Sequence, residues 1–369
     1  MNATRAIDLE DTEGLLAADR QGLLRAASSA GAQVRAIAAA ADEAALDTLR
    51  TGDRPRSVIW VAGRGTAETA GVMLAATLGG WASQPITLSD QVPAWVGPLD
   101  VLIVAGDDPG DPALVTAAAT GVRRGARVVV AAPYEGPLRD STAGRAAVLA
   151  PRLRVPDEFG LCRYLAAGLA AVQTVDQRPG IDLGLLADEL DAEALRNSAG
   201  RELFTNPAKS LAVRMAGRQV ALAGDSAATL ALARHGSSVL LRIAHQVIAA
   251  TALADAIVAL RDGMSGGFAD PADALFHDEE IDGPLPQRLR VLALTLSDER
   301  TVVAARVAGF DDVDLVSAED VLDLPEAPAG STAPGGARGS TGAGRPEQQL
   351  AVLAVRLEMA AVYLRLVRG

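Results

Sequence analysis

The stretch Arg56–Ser57–Val58–Ile59–Trp60–Val61–Ala62–Gly63–Arg64–Gly65–Thr66 decides the fold. Val58 to Ala62 is a continuous apolar run, the pattern of a parallel strand buried on both faces. Gly63 and Gly65 supply a tight turn, and an apolar helix follows through Ala70, Val72, Met73, Leu74 and Leu78. A strand that runs through such a turn into a helix N-terminus makes an anion site, because unpaired backbone N–H groups point at whatever sits there. The same order returns at Arg218–Gln219–Val220–Ala221–Leu222–Ala223, followed by Gly224–Asp225–Ser226 and a helix from Ala227 to Ala233. Two such units predict two similar α/β domains in one chain.

Strands and helices alternate around these units. Helical spacing of Leu15, Leu16, Leu23, Leu24, Ala27 and Val34 predicts helices between Asp8 and Ala45. Strands are expected near Ile86–Leu88 and at Val101–Ala105, Arg127–Ala132 and Leu153–Val155, with helices at Ala113–Gly125 and Phe159–Gln173. The second unit should carry strands Val220–Ala223, Val291–Thr295 and Val313–Val316, with long apolar helices over Val239–Leu260. Alternation of this length predicts α/β architecture, two doubly wound, flavodoxin-like parallel sheets in tandem. The expected organisation is a first domain at 1–175, a linker at 176–205 and a second domain at 206–324. A disordered insertion rich in Pro, Gly, Ser, Thr and Ala follows at 325–346, then a C-terminal helix at 347–369 with Leu350, Leu353, Leu357, Ala360, Ala361 and Leu364 on one face. That helix needs a domain or a partner to pack against.

Composition narrows the partners. Of 369 residues, 49% are apolar but only 3% aromatic, so the cores must be built from Ala, Val and Leu. High Ala, Gly and Arg with a single lysine, Lys209, reflects a GC-rich genome. A net charge of −12 excludes non-specific nucleic-acid binding, which needs clustered cations. Cys162 is the only cysteine, so it is read as a buried structural thiol on a helix, with no intrachain disulfide. Asp8, Glu10, Asp11 and Glu13 are unlike a secretory signal, and no apolar run suffices to span a membrane; a cytoplasmic protein is expected. The three histidines are scattered: His235 reads as a helix C-terminal residue and His245 as a core residue of an apolar helix. No metal or redox cofactor is implied. A nicotinamide site at Gly63–Arg64–Gly65–Thr66–Ala67–Glu68 is opposed by Glu68, which stands where that fingerprint needs a small residue.

Several segments in order resemble the bacterial and archaeal bifunctional phosphoglucose/phosphomannose isomerases, which carry two sugar-isomerase (SIS) domains. Ile7–Asp8–Leu9–Glu10–Asp11 is similar to the start of that family, and Gly63–Arg64–Gly65–Thr66 to its G-x-G-S loop. Asn206–Pro207–Ala208–Lys209–Ser210–Leu211–Ala212, with Gly217–Arg218 and a strand after it, resembles the opening of the second domain. Phe276–His277–Asp278–Glu279–Glu280–Ile281–Asp282–Gly283 resembles its N-H-N-E-I segment with one extra residue, and Arg356–Gly369 its penultimate helix. The resemblance implies a homodimer acting on hexose 6-phosphates through an enediol. His277 would be the ring-opening acid/base, with Glu279 and Glu280 as candidate proton-transfer bases. Gly63, Arg64, Gly65, Thr66, Asp107 and Asp108 would line the substrate.

The chain also departs from that family. The helix expected to carry the catalytic glutamate reads Val247–Ile248–Ala249–Ala250–Thr251–Ala252, with no carboxylate. Lys209 cannot be the family's C-terminal lysine; Arg365 or Arg368 could replace its charge but not its proton chemistry. The loop S-Y-S-G-N-T-E-E becomes Gly106–Asp107–Asp108–Pro109–Gly110–Asp111–Pro112, exchanging hydroxyl donors for carboxylates that repel phosphate. Asp108 or Asp111 can instead cap the next helix. The P-R dipeptide before the helix closing the first domain becomes Pro156–Asp157. Two readings follow: a diverged phosphosugar isomerase, or a catalytically silent SIS protein acting as a regulator or scaffold in carbohydrate metabolism.

Overall fold

The computed structural model describes residues 7–80, 82–176, 180–264, 288–319 and 345–368. His277, Glu279 and Glu280 lie outside the described residues, as does the 325–346 insertion apart from Arg345 and Pro346.

Strands β1 (Ser57–Ala62), β2 (Ile86–Ser89), β3 (Asp100–Ala105), β4 (Arg127–Ala131) and β5 (Ala147–Val148) form a parallel sheet in the order β2-β1-β3-β4-β5. Strands β6 (Gln219–Gly224), β7 (Ala249–Ala252), β8 (Leu289–Leu294) and β9 (Val313–Val316) form a second parallel sheet in the order β7-β6-β8-β9. The second order repeats the first four strands of the first. In each sheet the chain reverses direction of growth at its first strand, and ligand crevices form at such switch points, beyond the carboxyl ends of the strands.

Helices α1 (Thr12–Ala18), α2 (Leu23–Ala27), α3 (Ala30–Asp42), α4 (Thr66–Leu78), α5 (Pro112–Arg123), α6 (Gly136–Thr142) and α7 (Leu161–Val175) accompany the first sheet. They are followed by α8 (Leu183–Arg196), α9 (Pro207–Met215), α10 (Ala227–Ala244), α11 (Leu253–Ala259), α12 (Arg300–Val307) and α13 (Pro346–Arg368). Alternate residues of each central strand serve opposite cores. Val58 and Trp60 face one core, while Ile59 and Val61 face another with Leu114 and Val122 of α5. The first of these cores is continuous with Val220, Leu222, Leu292 and Leu294 of the second sheet, so both domains share one interior. Trp60 sets the close packing of α4 and α7. Its indole Nε1 donates to the Ala67 carbonyl at 3.0 Å. A Cβ at Gly71 would sit 2.4 Å from its ring, and one at Gly168 3.0 Å from it.

The axis of that shared interior is α13. The expected single apolar face is incomplete: the helix is buried nearly all round, against α8, α9 and α10 as well as the first domain. The polar residues in its middle and last turns are buried against partners. Arg356 donates to Glu193 Oε1 of α8 at 2.8 Å and to the carbonyls of Ser317 and Ala318 at 2.7 and 3.1 Å. Glu358 pairs with His235 Nε2 of α10 at 2.8 Å, and Tyr363 donates to the Asn197 carbonyl at 2.5 Å. Burial alone would lift the Glu193 carboxyl, but Arg356 and Arg196 hold it below the ordinary carboxylate value.

Three local expectations are corrected. Leu153–Val155 is not a strand; the fifth strand is the two-residue β5, earlier in the chain. The apolar run over Val239–Leu260 is broken by His245, whose φ of +51° ends α10, and strand β7 then occupies Ala249–Ala252. The two histidines exchange roles: His235 is buried in the middle of α10, and His245 is the exposed residue at its end.

Truncating Arg356 takes the fully buried cation away from Glu193, which then keeps only the partly exposed Arg196 and the Asn197 amide as partners in the interior. Arg356→Met should cost about 3–5 kcal/mol of unfolding free energy, and Glu193→Leu combined with it should recover part of that loss, both read from urea midpoints.

Candidate functional site

The β1–α4 turn carries the first candidate group. Gly65 has φ +67°, a left-handed conformation that favours glycine. Thr66 begins α4 buried, and its hydroxyl donates to Asp157 Oδ1 at 2.9 Å. Asp157 and Glu158 precede α7, and Arg242 of α10 reaches both: Nη2 lies 2.8 Å from Glu158 Oε1 and Nη1 lies 3.8 Å from Asp157 Oδ2. Burial and the nearby Asp107 push the Asp157 carboxyl above its ordinary value, against the pull of Thr66, Arg242 and Arg163. Arg64 is exposed.

The β3–α5 loop is closed by its own carboxylates. Asp108 Oδ1 accepts from the Gly110 N–H at 2.7 Å and so folds the turn. Asp111 caps α5, accepting from the Ala113 N–H at 2.8 Å. Asp107 is left exposed, close enough to Asp157 to raise it. The β6–α10 turn is closed as well. Ser226 and Thr229 form a reciprocal capping box at the start of α10, and Asp225 pairs with Arg306.

A cavity of about 160 Å³ opens between α4 and α10, at the meeting of the two domains. Thr66, Glu68 and Thr69 line it from α4, and Glu158 borders it. Opposite them stand Arg234, Ser238 and Arg242, spaced i, i+4, i+8 along one face of α10, with His235 beside them. Arg234 is exposed and has no acidic partner among the described residues.

The expected substrate residues are therefore brought together only in part. Thr66 and Asp107 converge on Asp157, Gly65 and Thr66 reach the cavity, and Asp108 serves its own turn. The position expected to hold a helical catalytic carboxylate, Val247–Ala252, leads into and forms β7 instead. Lys209 is buried and donates to the carbonyls of Ala199 and Arg201, both at 2.8 Å. Arg365 and Arg368 donate to the Ile243 and Ala244 carbonyls, so they cap the end of α10. Sequence reasoning passed over Arg234, Ser238 and Arg242. The available signal was a polar stripe at helical spacing within a long apolar helix.

No protein-family model and no curated protein sequence matches the chain. Solved structures do match it in fold. Tagatose-6-phosphate ketose/aldose isomerase from Escherichia coli superimposes with a TM-score of 0.62 at 16% identity, over 95% of this chain and 92% of that one. The C-terminal domain of glucosamine-fructose-6-phosphate aminotransferase from Francisella tularensis gives 0.59 at 10% identity, over 95% and 97%. A glucose-6-phosphate isomerase like protein from Thermus thermophilus gives 0.52 at 19% identity, over 98% and 96%. The fold is that of tandem SIS-type domains, as found in phosphosugar isomerases. Among the described residues, no helix is long and apolar enough to cross a membrane.

The raised Asp157 carboxyl fixes a sign. Its burial cost is absent below the ordinary value of 3.8 and is fully present once pH rises above its folded value. Asp157→Asn should therefore leave the melting temperature at pH 7 unchanged or higher, and should flatten the loss of stability on raising the pH through the weakly acidic range. A clear loss of stability at pH 7 would mean that the Arg242 contact outweighs burial.

Proposed function

We propose that this chain is an SIS-type protein that binds a sugar phosphate of the hexose 6-phosphate class between its domains without isomerising it, as a regulator or scaffold in carbohydrate metabolism. The observation that carries the reading is how its candidate acid, base and cationic groups are employed. Aldose–ketose isomerisation needs an acid or base at the ring oxygen, a base for the proton moved between C1 and C2, and a cation or donor at the enediolate oxygen. Among the described residues, His235 is held by Glu358 and Lys209 by backbone carbonyls. Arg365 and Arg368 close α10, and Asp111 caps α5. The likeness in fold to phosphosugar isomerases supports the ligand class. In the isomerase reading, His277 with Glu279 or Glu280 would have to supply acid and base, a role that rests on the family resemblance.

A thermal-shift screen separates the readings. Glucose, mannose or fructose 6-phosphate should raise the melting temperature by mass action, and the enediolate mimic 5-phosphoarabinonate should raise it no further. Stronger stabilisation by the mimic, with aldose–ketose turnover abolished by His277→Ala, would replace binding with catalysis. No shift with any sugar phosphate would remove the ligand class.

We also propose a homodimer. Because α13 is enclosed by its own chain, a second copy must dock elsewhere, on surfaces that expose residues such as Phe204 (78% exposed) and Leu195 (62% exposed). Light scattering at micromolar concentration should give twice 37.8 kDa, and a monomer mass would count against it.

A further inference from the structure

We propose that the ligand's oxyanion docks on helix α10 at Arg234, across the cavity from the start of α4, so that Glu68, Thr69 and Glu158 receive the sugar hydroxyls. This rests on the ligand reading above and adds its orientation and its anchoring residue.

The helices α4, α5 and α10 begin beyond the ends of β1, β3 and β6. At α5, Asp111 already accepts from the free N–H, and Asp107 stands exposed beside it. At α10, Ser226 and Thr229 satisfy each other, and Asp225 adds a carboxylate. At α4, the Thr66 hydroxyl is donated to Asp157, and a Cβ at Gly65 would lie 3.7 Å from that carboxylate. A phosphate at any of the three would meet an internal anion or a filled donor.

The cavity wall on α10 has the opposite character. Arg242 is spent on Glu158 and Asp157, whereas Arg234 faces the cavity with no acidic partner among the described residues. Ser238, one turn further along, offers a hydroxyl. His235 borders the cavity too, but its Nε2 is taken by Glu358. A guanidinium fork matches two oxygens of a phosphate or a carboxylate. On the facing wall, Glu68, Thr69 and Glu158 present acceptors suited to hydroxyl donors. The complementary ligand is a polyol bearing one oxyanion at its end, either a hexose phosphate or a hexonate.

The test is calorimetric titration of the full chain, as wild type, Arg234→Gln, Arg234→Lys and Asp107→Asn, with glucose 6-phosphate, gluconate and glucose. Arg234→Gln should weaken glucose 6-phosphate about tenfold or more, the worth of one charge-assisted contact, and Arg234→Lys should fall between it and wild type. Asp107→Asn should change the affinity less than twofold, and glucose should respond to neither Arg234 variant. Gluconate bound in place of the phosphate, with the same dependence on Arg234, would support the anchor while overturning the phosphate class. Undiminished glucose 6-phosphate binding by Arg234→Gln would overturn the anchor and leave the proposed function standing. No binding of any oxyanion by wild type would overturn both.

Discussion

The buried ion pair between Arg356 and Glu193 is the constraint on which the rest of the structure depends. It joins two helices 163 positions apart in the sequence, at sites that water does not reach. A charge in such a place is tolerated only when its hydrogen-bonding capacity is filled. Here Arg356 is filled by Glu193 and by the carbonyls of Ser317 and Ala318, and Glu193 is filled in turn by Arg196 and Asn197. The cluster therefore ties α8, α13 and the end of β9 to one arrangement. An apolar substitute could hold the volume but would not specify which carbonyls must meet.

That arrangement also places the cavity. Helices α4 and α10 come from different domains, yet both pack on α13 and on each other. The His235–Glu358 pair fixes the rotation of α10 about its own axis, because His235 is anchored inward to α13. With His235 directed inward, the face carrying Arg234, Ser238 and Arg242 is turned toward α4 and Glu158. A core contact thus decides which polar groups line the cavity, and the chemistry of the cavity is linked to the packing of the terminal helix.

Legibility in the sequence followed burial. The central strands were readable because strands buried on both faces are continuous apolar runs, and β1, β3, β4, β6 and β8 fall on the expected segments within a residue or two, as does the half-buried end strand β9. Strand β7 was hidden because Ala249–Ala250–Thr251–Ala252 sits in an alanine-rich run with no period of its own. Strand β5 has only two residues, too few to leave a pattern. The terminal helix was read as one-faced because Arg356 and Glu358 count as polar, while the partners that let them be buried lie on α8 and α10. The same limit governed the site. Thr66 was found from its turn, and Asp111 from its place before a helix; Arg234 and Arg242 matter through what faces them from another domain, which only the fold brings into view.

The recurring device in this chain is self-satisfaction of groups that the SIS-type fold leaves available at the strand ends. The helix N-termini of α5 and α10 are capped from within, the Thr66 hydroxyl is met by Asp157, and the only lysine closes a loop through two carbonyls. Each contact contributes a little to stability and removes a donor from any ligand. Fold and activity separate on this point, because the tandem architecture needs only buried strands and packed helices, whereas anion chemistry needs unfilled donors. The cation left unpaired among the described cavity residues, Arg234, is a long exposed side chain on α10 rather than backbone at a strand end. Such an anchor is mobile and charged, well suited to holding an oxyanion and poorly suited to the rigid positioning that proton transfer demands.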